Sequence, residues 1–527
     1  MNRKTSRLGA VLKFLACIGI VGSSMSFSLL FAENPDYDLV ITGAMVLTGD
    51  GGAPFLAEIG IRDGRIAAIG NLRVAEGVPI LRARGRFVCP GFIDIHTHAE
   101  TGLMHYPGAE NYLLQGVTTV VGGNCGSSHF PISNLVKMLE RQEIAVNFAS
   151  FTGHNTIRAI VMGRKTATPT PRELRRMKAL IEQDLQAGSF GLSSGLTYFP
   201  GRHTTTKELI ELAAVLAPYD GLYVTHMRSE GRNIALALAE AIHIGEKAGV
   251  RVQVSHLKLF DESVWGKTHL ITDLLEYAHK RRVRITSDQY PYTASSTAFS
   301  AWFPRWSQPV LRSRTKTSAS YVRLKNLLAR SFEEGLDRFL VGTYRAYPAY
   351  EGKNFSELLE MLGREATPQN AAELLIDIQR RGNAQGIFFF MQEKDVESIM
   401  QLPENMIASD GVVAEFGEGK PHCRSYGTFP RVLARYVREK RILTLEEAVR
   451  KMTSLPAQTL RFEDRGLLKP GYWADLVVFD LDELRDTATY ADPHQYPEGI
   501  AYVIVNGRVA AVDGRVTGER AGRVIKR

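Results

Sequence analysis

Eight short apolar runs, beginning at Phe92, Val117, Ile144, Phe190, Leu222, Val250, Val283 and Met406, alternate with helix-forming segments along the middle of the chain. Such runs read as strands buried on both faces, and strands that alternate with helices form parallel sheets. Eight is the number that closes a (β/α) barrel, so residues 90–464 are expected to form an α/β, TIM-like (β/α)8 barrel. The helices carry their own start signals. Thr170-Pro-Arg-Glu173 is a capping box with proline in the first turn, and Gly188 ends that helix. Thr205 with Glu208, and Thr444 with Glu447, repeat the box. Between Pro291 and Val412 lies more chain than one βα unit needs, and residues 295–353 read as an insertion over the barrel mouth.

At 527 residues the chain exceeds one compact domain unless a barrel takes up most of it. The two ends behave differently from the middle. From Tyr37, YDLVITGAMVLTGDGGAPFLAEIGIRDGRIAAIG alternates apolar and polar residues between Gly and Asp turns. The C-terminal end does the same, with Asn506-Gly507 and Asp513-Gly514 as hairpin dipeptides. Residues 33–89 and 465–527 are therefore expected to pair into one small β-sandwich domain.

Residues 1–32 read as an export signal: a basic start, MNRKTSR, precedes a long apolar run ending in Leu-Leu-Phe-Ala. The same run also reads as an N-terminal membrane anchor, and Cys17 admits a lipoprotein link. The expected location is periplasmic or secreted, with no stable membrane insertion once the signal is removed. Arg3, Lys4, Arg7 and Lys13 account for half of the formal +8 charge, and the dispersed remainder gives no reason to expect nucleic acid as a partner. Without the signal, Cys89, Cys125 and Cys423 remain, an odd number with no disulfide-scaffold pattern. At least one is then free or ligated.

The chemistry-capable residues fall at the ends of the strands. GFIDIHTH ends in His96 and His98, whose spacing points both to one side of an extended chain. VVGGNC ends in Cys125, YVTHMRSE carries His226, VQVSHLK carries His256, and MIASDG carries Asp410. In a barrel these positions share the C-terminal rim, where active sites are built. A lone cysteine after a buried strand reads as packing as readily as chemistry. A coincident set on five strands does not. Imidazole and thiolate are zinc ligands, and a catalytic zinc takes about three of them plus an open position for water. Cys125 is accordingly read as a ligand.

PGFIDIHTH, a single Asp after the last strand, and the closing GLLKPGYWADLVVFD together resemble the amidohydrolase superfamily. GVTTVVGGNCGSS, GLSSGLTYFPG, THMRSEG, VSHLK, DQYPYTASST and RSYGTFPR resemble its N-acyl-D-amino-acid deacylases, with a match running nearly continuously from Tyr37 to the C-terminus. The resemblance implies that Cys125, His226 and His256 hold one zinc tightly, while His96 and His98 line a second, weaker or partly filled site. Hydantoinase and dihydroorotase relatives bridge two metals through a carboxylated lysine after the fourth strand. SFGLSSGL offers no lysine there, and Cys125 would take that role.

The implied reaction is hydrolysis of an N-acyl-D-amino acid, a small-molecule substrate, to a carboxylate and a free D-amino acid. Zinc lowers the pKa of a bound water to about 7 and polarises the amide carbonyl. One residue must also take the water's proton and give it to the leaving nitrogen, and Asp410 at the rim suits that role. Lys258, two residues beyond His256, is expected on the same side of its strand, and Arg424, on the loop after Asp410, can clamp a carboxylate with its planar fork. The resemblance assigns the substrate carboxylate to Lys258, Tyr290 and Arg424, and D-specificity rests on the resemblance alone. The alternative reading is a related amidohydrolase acting on D-dipeptides or cyclic amides, as dihydroorotases and hydantoinases do.

Overall fold

The computed structural model describes residues 37–527 apart from Arg314. The export segment at residues 1–32, with Cys17, lies outside the described residues.

The central chain is α/β and TIM-barrel-like. Phe92–Asp94, Val117–Gly122 and Asn147–Ser150 form one parallel sheet. Thr152–Gly153, Gly191–Gly195, Leu222–His226, Arg251–Val254, Ile285–Gln289 and Asn405–Ile407 form a second, in that order. Only Phe151 separates the two sheets along the chain, and Thr97 makes a parallel bridge to Gly411 beyond the first and last strands. Val120, Phe148, Val224 and Met406 are at most 1% exposed, as expected of strands covered on both faces. The run at Ile144 enters its strand only at Asn147, because the carbonyl of Ile144 accepts from Gly522 and the amide of Ala145 donates to Pro107. Those groups are already paired elsewhere, so pairing with the neighbouring strand starts later.

Of the three expected capping boxes, the one at Thr170 is complete, with Thr170 and Glu173 each bonding the other's backbone. At Thr205 and Thr444 only half the box forms, the threonine hydroxyl accepting from the third helical amide. Glu208 is drawn instead to Arg158 and His154, and Glu447 to Arg450. A charged or buried partner outcompetes a solvated backbone N–H for those carboxylates.

The two chain ends meet in one nine-stranded mixed sheet. The join is Phe87–Pro90, antiparallel to Leu476–Phe479 and parallel to Met45–Val46. Leu476–Phe479 is buried on both sides: Val477 and Phe479 pack on the strands and helices of the central chain, while Leu476 and Val478 pack on Ile41, Ile59 and Ile61. Asn506 and Gly507 at one hairpin, and Asp513 and Gly514 at the next, all have positive φ, the conformation the tightest hairpin turn demands. A buried polar hub ties sheet to centre. Arg465 pairs with Asp475 and donates to Asn506, and Asn506 donates to Asn147 at 2.8 Å.

The insertion expected at residues 295–353 is longer than the sequence suggested. Ser295–Ala298 and Phe339–Val341 both pair with Gln385–Phe388 in a three-stranded antiparallel sheet. Helices Ala319–Ser331, Phe355–Met361 and Pro368–Arg381 close over that sheet around Phe299, Phe332, Phe339 and Phe388. Ser296, Thr297 and Gln385 from this unit line the cavity over the strand ends. No helix among the described residues is long and apolar enough to cross a membrane.

Candidate metal centre

After Val117–Gly122 the chain must turn sharply within reach of two neighbours. A Cβ on Gly122 would lie 2.6 Å from Glu100 Cδ, and one on Gly123, at φ +73°, would lie 2.0 Å from the carbonyl oxygen of Phe151. Only glycine fits there. The turn delivers Cys125 to the centre with φ +52°, and His256 and Asp410 also carry positive φ, at +35° and +50°. Such backbone is uncommon outside glycine and costs of order 1–3 kcal/mol per residue, an outlay characteristic of functional sites.

Cys125 is the hub. Its Sγ lies 3.4 Å from His96 Nε2, 3.7 Å from His226 Nδ1 and 3.5 Å from His256 Nε2. His98 Nε2 and His96 Nε2 face Asp410 Oδ1 at 3.1 and 3.4 Å. Two overlapping groups of donors result, Cys125 with His226 and His256, and Cys125 with His96, His98 and Asp410. Sequence reasoning placed His96 and His98 on an extended strand, but the strand ends at Asp94 and both lie on the loop beyond it. His256 likewise follows a strand that ends at Val254.

Further groups around the cluster were not singled out from sequence. Asp288 Oδ1 lies 3.0 Å from His96 Nδ1 and accepts from the backbone N–H of His256 at 2.8 Å. Glu230 Oε1 lies 2.7 Å from His256 Nδ1, and Thr197 Oγ1 lies 2.8 Å from His226 Nε2. Each of these leaves the opposite ring nitrogen facing Cys125, the arrangement that fixes the tautomer and orientation of a ligating imidazole.

The three residues expected to grip a carboxylate are all buried beside this cluster. Lys258 Nζ lies 2.8 Å from His256 Nδ1 and against Glu230. They meet through the turn at His256 rather than by sharing a strand face. Arg424 is not on a loop but opens the helix Arg424–Arg431, with Nη1 2.9 Å from Asp410 Oδ2 and its guanidinium 4.7 Å above the Tyr290 ring. Two cavities flank the cluster. One, of about 670 Å³, is lined by Cys125, His98, His422 and Arg424; the other, of about 590 Å³, by His226, Glu230, Lys258 and Tyr290; His256 and Asp410 line both.

Burial alone would raise the Cys125 thiol, but the charges of His96 and His256 hold it well below the ordinary range. Burial would lower His98 and His256; hydrogen bonds to Asp410 and Cys125 bring His98 up to about 10, and the charges of Glu230 and Cys125 bring His256 up to about 9 despite Lys258. Asp410 is buried too, and Arg424 and His96 hold it well below the carboxylate range. The anionic donors thus pull protons onto the imidazoles. A dication would take the place of those protons, which is how metal binding couples to proton release. The geometry agrees with that exchange. In a tetrahedral zinc site with the usual bond lengths, sulfur and nitrogen ligands lie about 3.6 Å apart. The 3.5 and 3.7 Å separations of Cys125 from His256 and His226 match that edge.

Replacing Glu230 by Gln keeps the shape and removes the charge that holds His256 and Lys258. Divalent-metal affinity, read by chelator competition, is expected to fall about ten- to a hundredfold. Unchanged affinity would show that Glu230 serves only the Lys258 ion pair.

Comparison with known proteins places the chain among similar sequences. A model of the amidohydrolase family matches residues 81–303 and 362–511. The chain is 36% identical to an N-acyl-D-aspartate deacylase of Alcaligenes xylosoxydans xylosoxydans, over 93% of this chain and 95% of that protein. It is 33% identical to a D-aminoacylase of the same organism, over 94% of this chain and 99% of that one. Among solved structures, an N-acyl-D-glutamate deacylase of Bordetella bronchiseptica, complexed with zinc and a phosphonate mimic of the tetrahedral intermediate, superposes with a TM-score of 0.80. It is 33% identical, and the match covers 93% of this chain and 100% of that one. A D-hydantoinase at 15% identity and a TM-score of 0.58 shares the fold alone.

Proposed function

Since the chain belongs to the amidohydrolase family, in the branch of the N-acyl-D-amino-acid deacylases, we propose that it hydrolyses N-acyl-D-amino acids to a carboxylate and a free D-amino acid, with zinc as its metal. The observation that carries the reading is the meeting of a thiolate–imidazole donor set, a buried carboxylate and a buried arginine within one pair of adjoining cavities. Cys125, His226 and His256 are the residues that would hold one zinc tightly, and His96 and His98 would line a second, weaker site. The metal supplies Lewis acidity, toward both the water and the amide carbonyl.

Asp410 takes the proton from the attacking water at Oδ1 and delivers it to the leaving nitrogen, since an amine departs only when protonated. Arg424, Lys258 and Tyr290 receive the substrate's α-carboxylate. Arg424 Nη2 has only a long bond, 3.4 Å, to the carbonyl of Ser296, which leaves donor capacity directed at the cavity. The strand Gly191–Gly195 carries Ser193 and Ser194 where a carboxylated lysine would serve cyclic-amide chemistry, which favours linear substrates.

The same reading extends to the fold. Counting Asn147–Ser150 and Thr152–Gly153 as one strand interrupted at Phe151, we take the parallel strands as the eight of a closed barrel over residues 90–464, a reading supported by the Thr97–Gly411 bridge, and the joined ends at 33–89 and 465–527 as its β-sandwich domain. Residues 1–32 are taken as an export signal for a periplasmic or secreted enzyme, on their basic-then-apolar pattern.

The test is zinc content per chain together with kcat/KM on N-acetyl-D-methionine, its L-enantiomer and its carboxamide. The D-acid is expected to be the preferred substrate. Arg424→Ala should lower kcat/KM on it roughly ten- to a hundredfold, the worth of one charge-assisted hydrogen bond, and should barely affect the carboxamide. Equal losses on acid and carboxamide would move the grip elsewhere.

A further inference from the structure

The strand Asn147–Ser150 pairs with Val117–Gly122 along one edge. On its other side, from Ile144 to Phe148, the backbone is met by residues 521–527. Gly522 donates to the Ile144 carbonyl at 2.8 Å, Phe148 to that of Arg523 at 2.9 Å, and Ile525 back to that of Phe148 at 2.8 Å. The Arg523 N–H adds a bond to Asn147 Oδ1 at 3.1 Å. Phe148 and Val524 are thereby parallel partners, as residues of neighbouring strands would be. The side chains fit as closely. Ile525 packs on the apolar cluster of Ile93, Val121, Ala149 and Phe151, and Val524 on that of Val120 and Phe148. Lys526 pairs with Glu140 at 2.8 Å, and Arg527 Nη1 donates to the Asp220 carbonyl at 2.9 Å. Position 522 must be glycine, since a Cβ there would run into the carbonyl oxygen of Val146.

The strand held in this way leads directly into the support of the Cys125 turn. Phe151 donates to the Gly122 carbonyl at 3.0 Å, and its own carbonyl oxygen fills the space that a side chain on Gly123 would need. Gly153 donates to Ser128 Oγ at 2.8 Å, and Thr156 to the Gly126 carbonyl at 3.1 Å. The backbone of residues 151–156 therefore carries the turn that delivers Cys125. Residues 521–527 line neither cavity of the metal centre, so they act on it only through this support. A ligand set works only when held within about 0.5 Å of its geometry, and a strand with one edge released opens locally at lower cost.

We infer that residues 521–527 are a positioning strap for the metal centre. Docked beside Asn147 and Phe148, they keep the Cys125 turn at its ligating geometry, and their release weakens metal binding without unfolding the chain. The inference rests on the reading of Cys125 as a zinc ligand and adds a control point outside the site.

The test compares the full chain with one stopped after Arg520 and with Gly522→Val, using zinc alone as the probe. Zinc affinity per folded chain, read by chelator competition, is expected to fall about three- to thirtyfold in both variants, the range of coupling through packed elements. The peptide Ala-Gly-Arg-Val-Ile-Lys-Arg, added in trans, should restore the affinity of the stopped chain. Hydrogen exchange should quicken at the Phe148, Phe151 and Gly123 amides while Leu222–His226 stays protected. With zinc in excess, kcat on N-acetyl-D-methionine should return toward that of the full chain, because no catalytic group is lost. Equal zinc affinity in all three proteins, with unchanged exchange at Phe151 and Gly123, would overturn the strap. So would a loss that follows the unfolded fraction and that the peptide does not reverse. Global unfolding of both variants would make the segment ordinary core and end the inference as well. If the full chain itself binds no zinc, the metal reading fails instead, and exchange at Phe151 and Gly123 still decides the strap.

Discussion

Cys125→Ala is expected to strip most of the bound zinc and to lower activity at least a hundredfold while the fold survives. Cys125 is the one residue common to both donor groups, so its loss removes a ligand from each at once. Two imidazoles cannot hold zinc as a thiolate and two imidazoles do, because a catalytic site wants about three protein ligands. The cost in intrinsic stability is small, about 1 kcal/mol, since a single small side chain at a cavity wall is lost. Any larger fall in melting temperature should come from the metal. A ligand that binds only the native state stabilises it by mass action, so chelated wild type and Cys125→Ala should melt within a few degrees of each other. Zinc per chain after gel filtration, activity, and melting with and without chelator make the measurement. Full zinc and normal turnover in the variant would return Cys125 to simple packing against its neighbours.

The sequence made the candidate donors legible because each sits at or just beyond the end of a recognisable apolar run. His226 closes its strand directly, and Cys125 follows its strand after two glycines whose necessity is steric. What stayed hidden was the layer that orients them. Asp288 lies inside the strand Ile285–Gln289 and is fully buried, a carboxylate within a strand that a reading for anomalous buried charge would have found. Glu230 gave no such signal, because its partners Lys258 and His256 come from a different strand end and meet it only in three dimensions.

The insertion shows the complementary failure. Its first strand, Ser295–Ala298, pairs with Gln385–Phe388, about ninety residues later. Local patterning could mark where extra chain begins but not where its last strand returns, because register between distant strands is set by packing rather than by turns. Arg424 was misplaced for a related reason. RSYGTFPR contains glycine and proline and reads as loop, yet it is the first turns of a helix whose opening residue is held over Tyr290 and against Asp410. Burial of Tyr426 and Phe429 against the core overrides the weak helix propensity of that stretch.

The Arg424–Asp410 pair also shapes what replacing the carboxylate should do. Asp410→Asn keeps size and hydrogen-bonding shape but removes the proton acceptor, so kcat is expected to fall about 10²- to 10⁴-fold, the usual worth of a positioned general base and acid. KM should not rise. Arg424 Nη1 lies 2.9 Å from Asp410 Oδ2, and the neutral amide leaves that guanidinium free for the substrate's carboxylate. Substrate affinity should therefore hold or improve while the chemical step collapses, the pattern of an interaction made only in the transition state. Zinc content discriminates further. Asp410 belongs to the donor group of His96 and His98 and not to that of His226 and His256, so the variant should retain about one zinc per chain. If kcat instead holds while KM rises, Asp410 positions the substrate, and the proton must travel by another group.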